Sequence, residues 1–161
     1  VTRIASAVGA DLVPHALAVL CTVAGTPAIY AGDEYGKRGV KEARVGGDDA
    51  VRPEMPAAPT PRGLLDPAAE RTLSLTQRLI AIRRRNPWLT RAHTDTVHIA
   101  NGTIVLRTAT STDAIVTALN VSNEDVILPA ADATELLAGE GAALHGERLA
   151  LSPRGWAVLG R

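Results

Sequence analysis

The side chains of this 161-residue chain that could do chemistry gather in one stretch. Between Lys37 and Glu54, 9 of 18 residues are charged, and two adjacent carboxylate pairs, Asp33-Glu34 and Asp48-Asp49, lie beside or inside it. Acid–base catalysis needs two carboxyl groups converging on one bond. Neighbours in extended chain point to opposite sides, so neither pair is a natural dyad. The single cysteine, Cys21, excludes an internal disulfide and a Cys-based zinc site. It lies in an apolar run and reads as a buried, inert thiol. His15, His93, His98 and His145 show no ligand spacing, and no metal or cofactor is predicted. Arg83-Arg84-Arg85 has two readings, a phosphate-binding cluster or a solvated helix end favoured by the helix dipole; the second is the expectation.

The elements that must position these residues can be read from punctuation and period. From Leu12 to Gly32 there is no charged residue, a length that could cross a bilayer. Pro14, His15 and Gly25-Thr26-Pro27 break it into a buried helix, with Asp11 as cap and Leu17, Val19, Leu20 and Val23 apolar nearly all round, and a short strand at 27–31. Ala28-Ile29-Tyr30 lacks alternation, the pattern of a strand covered on both faces. Residues 32–65 show no period and carry Pro53, Pro56, Pro59 and Pro61; irregular connections of that length tend to be functional. Asp66 and Pro67 then open a helix with Leu75, Leu79 and Ile82 as its stripe and Leu73 and Ile80 beside it, and Asn86-Pro87 ends it.

After residue 91 the texture changes to short β segments. The expected strands are 96–100, 103–109, 114–121, 126–128, 134–137, 148–151 and 156–159. Asn101-Gly102 marks a hairpin, and further turns fall at Gly139–Gly141, Gly146 and Pro153–Gly155. Seven or eight short strands predict a small antiparallel sandwich. Charge changes sign at the same point: residues 1–91 carry 13 basic and 9 acidic side chains, a balance of +4, and residues 92–161 carry 4 and 8, a balance of −4. The overall neutrality argues against nucleic acid or an anionic membrane as partner. With 46% apolar residues the chain can bury a core, although Phe is absent and only Tyr30, Tyr35, Trp88 and Trp156 are aromatic. Trp156 reads as core. A lone free cysteine fits a reducing cytoplasm.

Four segments, in order, resemble the α-amylase superfamily (glycoside hydrolase family thirteen). Gly25-Thr26-Pro27-Ala28-Ile29-Tyr30-Ala31-Gly32-Asp33-Glu34 resembles the motif of the eighth barrel strand. Val1–Ser6 looks like the residues after the Asn-His-Asp motif of the seventh strand. Gly46-Gly47-Asp48-Asp49-Ala50-Val51-Arg52-Pro53 looks like the Asp…Arg element of the loop after the eighth strand, and 79–87 resembles the last barrel helix. The ending 133–159 fits the all-β domain that follows the barrel.

The resemblance implies an α+β chain: the last βα part of a (β/α)8 TIM barrel, incomplete, in residues 1–91, then a small β-sandwich in 92–161. It implies the C-terminal portion of a glycoside hydrolase that cleaves α-glucosidic bonds of maltooligosaccharides or related α-glucans with retention. The family's aspartate nucleophile, glutamate acid/base and supporting aspartate correspond to positions upstream of Val1, so no catalytic residue is assigned here, and function requires the upstream part of the barrel. The expected substrate-binding residues are Arg52 with Asp48 or Asp49, and Tyr35 at the mouth of the eighth strand. An Asp–Arg pair offers oriented donors and acceptors to sugar hydroxyls; a solvated loop ion pair is the plainer reading. Asp48 fits the family's spacing to the arginine, and Asp49 its spacing to the preceding glycines. Tyr35 either lines the sugar groove or packs. Arg3 either packs under the active site or caps local carbonyls, while Asp33 and Glu34 are architectural. Two alternatives stand beside the hydrolase: a carbohydrate-binding or structural β module, and a glucosyl transferase or isomerase of the same family.

Overall fold

In a computed structural model, residues 2–52, 54 and 56–161 are described. Over the described residues the chain is mixed α+β: three α-helices, α1 (Ile4–Ala7), α2 (Val13–Thr22) and α3 (Pro67–Arg85), precede six antiparallel strands. The strands are β1 (His93–Ala100), β2 (Thr103–Ala109), β3 (Ala114–Asn120), β4 (Val126–Pro129), β5 (Glu135–His145) and β6 (Arg148–Gly160). Contacts group Val1–Ala16 with Ala28–Gln77 in one unit, and Leu17–Pro27 with Arg78–Arg161 in a second. The grouping follows contacts rather than chain order.

In the first unit α3 begins as expected. The Asp66 carboxylate accepts from the N–H groups of Ala68 and Ala69, both at 2.9 Å, and Pro67 occupies the first helical position. Among the described residues the expected strand at 27–31 has no ladder partner. A strand is defined by hydrogen bonds to a neighbour, and all six strands of the sheet lie beyond residue 92. Asp11 falls inside a short 3-10 turn, Ala10–Leu12, rather than capping α2. Among the described residues no helix is long and apolar enough to cross a membrane.

The second unit holds one curled sheet rather than the two faces of a sandwich. β1, β2 and β3 pair in sequence, with the Asn101-Gly102 turn joining the first two. β6 is 13 residues long and merges the two strands expected at 148–151 and 156–159. Its first half pairs with β4 and its second half with β3, while β5 runs along it over both halves. Pro153 and Gly155 do not end β6, because β5 has a register shift at Glu140/Ala142, opposite this bend. Proline is tolerated at such irregularities because no ladder donor is required there. For the same reason Gly139–Gly141 lies inside β5 instead of forming a turn.

Val105, Val116, Ala118, Leu128, Leu149, Leu151, Ala157 and Leu159 form a buried cluster on one face of this sheet. β3 is buried along its whole length. Its other face meets the end of α2, where the hydroxyls of Thr22 and Thr117 lie 2.6 Å apart. Trp156 and Cys21 are buried, and burial raises the Cys21 thiol above its ordinary pKa, which keeps it inert near neutral pH. Leu79 and Ile82 are buried as expected and Ile80 is exposed. Arg83 departs from the expected solvated helix end. It is buried and donates to the carbonyls of Cys21 (3.0 Å), Val23 (2.7 Å) and Gly25, closing the C-terminus of α2. Arg84 and Arg85 are exposed.

Candidate functional site

The candidate residues all lie in the first unit. Two features give their loops shape. The first is Arg3, whose side chain is only 2% exposed. Its Nη1 donates to Asp33 Oδ1 at 2.7 Å and its Nη2 to the Ala31 carbonyl at 2.7 Å, and the guanidinium lies 4.7 Å from the centre of the Tyr30 ring. It therefore caps a carbonyl and forms a buried ion pair at once. The Glu34 carboxylate turns back to accept from the Gly32 N–H at 2.6 Å. Asp33 and Glu34 thus hold the turn that ends at Tyr35, as an architectural role requires.

The second feature is how residues 39–52 fold back on themselves. A side chain on Gly39 would put its Cβ 2.2 Å from the Ala50 carbonyl oxygen, and one on Gly47 would lie 2.2 Å from that of Glu42. Only glycine permits both approaches. The start of the loop is tied to the N-terminal segment: Arg3 N–H donates to the Gly39 carbonyl (2.9 Å), Gly39 N–H to Ser6 Oγ (2.9 Å) and Lys41 N–H to Thr2 Oγ1 (3.3 Å).

On this loop Asp48, not Asp49, meets Arg52: Arg52 Nη2 lies 3.2 Å from Asp48 Oδ2, one helical turn apart in sequence. Lys41 Nζ lies 3.1 Å from Asp48 Oδ1. The hydrogen bond from Lys41 is the largest cause holding the Asp48 carboxyl below its usual range, burial opposes it, and the charges of Lys41 and Arg52 add to the lowering. Asp49 is exposed in the short turn Asp49–Val51. Pro53, named in the same motif, lies outside the described residues. Tyr35 is half-buried and lines a cleft of about 570 Å³ together with Glu34, Lys37, Glu54, Pro56 and Leu64. Asp48, Asp49 and Arg52 do not line that cleft. The four expected residues therefore divide into a loop pair with a bystander, Asp49, and a separate cleft residue, Tyr35.

Lys41 is the participant that sequence reading passes over, because nothing in its spacing to Asp48 signals contact until the loop closes through Gly39 and Gly47. The arrangement can present a fixed carboxylate and a guanidinium with spare donors to a polyhydroxylated ligand. Among the described residues it holds no converging carboxylate dyad.

No protein-family model and no curated protein sequence matches the chain. Solved structures do. The trehalulose synthase MutB of Pseudomonas mesoacidophila MX-45 matches with a TM-score of 0.76 at 15% identity, over 99% of this chain and 41% of that one. Isomaltulose synthase PalI of Klebsiella sp. LX3 matches with 0.74 at 14% identity, over 99% and 41%. The Nostoc punctiforme debranching enzyme, in crystals soaked with acarbose, matches with 0.74 at 21% identity, over 99% and 31%. A mutant of MutB has also been solved in complex with the substrate sucrose. The chain thus spans between three tenths and about two fifths of these proteins. It has the fold of a portion of each.

Proposed function

We propose that the chain is the C-terminal portion of an α-amylase-superfamily enzyme acting on α-glucosidic bonds, with residues 1–91 belonging to the catalytic barrel and 92–161 to the all-β domain that follows it. The reading rests on one observation above others. The fold likeness runs over 99% of the chain, in a sequence whose four family-like motifs occur in the family's order. In this reading Thr2–Ser6 follows the seventh barrel strand, Ala28–Ala31 is the eighth, and the loop bearing Asp48 and Arg52 lies at the barrel's active-site end, where loops after strands build the site. Retaining hydrolysis then uses two carboxyl groups roughly 5 Å apart, supplied by the preceding part of the barrel. The contribution of this chain is to bind: Arg52, oriented by Asp48, donates to hydroxyls of the sugar on the non-reducing side of the cleaved bond, and Tyr35 offers an apolar ring.

In the intact enzyme Arg52→Ala should lower kcat/KM for maltooligosaccharides about ten- to a hundredfold with the fold unchanged, since a lost charged hydrogen-bond partner costs about 1.5–3 kcal/mol. Asp48→Asn should reproduce part of that loss and Asp49→Asn none of it. A lower melting temperature with unchanged kcat/KM would instead make Arg52 a loop anchor and sink the binding role.

A second reading, an isomerase of the same superfamily, draws support from the likeness to trehalulose and isomaltulose synthases. Sucrose as substrate separates the two. Free glucose and fructose would indicate hydrolysis, whereas an isomeric disaccharide would indicate intramolecular transfer.

A further inference from the structure

We propose that Lys41 is a positioning residue for the Asp48–Arg52 pair, fixing the carboxylate so that the guanidinium keeps free donors for the hydroxyls of an α-glucoside. The ligand half of this proposal rests on the sugar-binding reading of Arg52; the positioning half does not. A carboxylate held at one oxygen by one long side chain is free to rotate. Asp48 is held at both, Oδ1 by Lys41 Nζ at 3.1 Å and Oδ2 by Arg52 Nη2 at 3.2 Å, from opposite ends of the loop. The ammonium is a compact point donor that suits one oxygen, while the planar guanidinium can engage the other and still present further N–H groups.

Lys41 can serve as the fixed end because its own backbone is anchored. Its N–H donates to Thr2 Oγ1, and two residues earlier Gly39 is held by both Arg3 and Ser6. Arg52 is the free end: its side chain is 69% exposed, and Nη2 is its one engaged side-chain group among the described residues. A run of contacts thus leads from the Thr2–Ser6 segment through Lys41 and Asp48 to Arg52. Exposed ion pairs of this kind add little to stability; the effect of Lys41 is geometric, set by the two contacts that hold both Asp48 oxygens.

The test uses the full-length protein and its Lys41→Met, Lys41→Arg and Arg52→Ala variants. Carboxyl NMR follows the Asp48 titration, calorimetry the affinity for maltotriose, and thermal melting the fold. Lys41→Met should raise the Asp48 midpoint toward the ordinary value and weaken maltotriose binding about two- to fivefold at unchanged melting temperature. Lys41→Arg should restore both. An unmoved Asp48 midpoint in Lys41→Met overturns the positioning role. So does a raised midpoint with unchanged affinity, when Arg52→Ala does weaken binding. If Arg52→Ala leaves maltotriose affinity untouched, the sugar-binding reading of the loop is wrong, whatever Lys41 does to Asp48.

Discussion

Arg83→Met should destabilise the protein by about 3 kcal/mol, because it leaves three backbone carbonyls without their donor while keeping most of the aliphatic stem. The carbonyls of Cys21, Val23 and Gly25 lie where α2 ends and the following segment begins, and the Arg83 guanidinium reaches all three. Orphaned helix-end carbonyls need a replacement donor; Cys21 is buried, while Val23 and Gly25 are half-buried, so water recovers part of the loss there. The loss should appear as a lower melting temperature of the intact protein. Arg83→Lys should fall in between, since one ammonium cannot span three acceptors. Neutral replacements at the exposed Arg84 or Arg85 should stay within about 0.5 kcal/mol of the parent protein. Equal effects at all three positions would mean that the run acts through net charge at the end of α3, and the capping role would be lost.

The contrast among those three arginines shows where sequence reading stops. Three like residues in a row look equivalent, yet a helix turns about 100° per residue, and Arg83 stands four residues beyond Leu79 on the buried face. That spacing was available in the sequence; the acceptors were not, because they belong to a segment about 60 residues earlier. Some local chemistry was legible, although the cap expected at Asp11 was not formed. Asp66 and Pro67 open α3 where their types require, and Asn101-Gly102 joins β1 to β2. Strand length was less legible. Pro153-Arg154-Gly155 carries every mark of a turn, but β6 passes through it, because long strands absorb such residues at bends that only pairing reveals. For the same reason the eleven residues of β5 read as one short strand with a glycine turn attached.

The candidate loop was legible as a charged, aperiodic segment and opaque in its pairing. Asp48 and Asp49 are chemically equal in sequence, and fold-back through Gly39 and Gly47 distinguishes them by bringing Lys41 and Arg52 to Asp48. Arg3 was legible as a carbonyl cap or as a residue packed under the active site. The geometry makes it a buried cap that also pairs with a carboxylate, since one guanidinium has enough donors to serve Asp33 and Ala31 together.

Arg3→Met should cost about 2–3 kcal/mol and loosen the turn from Gly32 to Gly36. Removing one member of a buried ion pair typically costs about 3–5 kcal/mol, because the remaining charge stays desolvated and unpaired. Here the Asp33 side chain keeps 20% exposure, so water recovers part of that loss. The Ala31 carbonyl loses its donor as well, so Arg3→Met should be worse than Asp33→Asn, which leaves the Arg3–Ala31 bond in place. A double-mutant cycle separates the contributions: Arg3→Met with Asp33→Asn should cost no more than Arg3→Met alone, a coupling of about 1–2 kcal/mol. The turn carries Tyr35 to the cleft it lines. Arg3→Met should therefore also speed proteolysis at residues 32–37 relative to cleavage in β3, whose residues are buried and paired on both sides. Strict additivity of the two replacements, with an unchanged cleavage pattern, would mean that Arg3 and Asp33 are neighbours without energetic connection, and that the turn is held by its backbone hydrogen bonds and the Glu34–Gly32 bond without them.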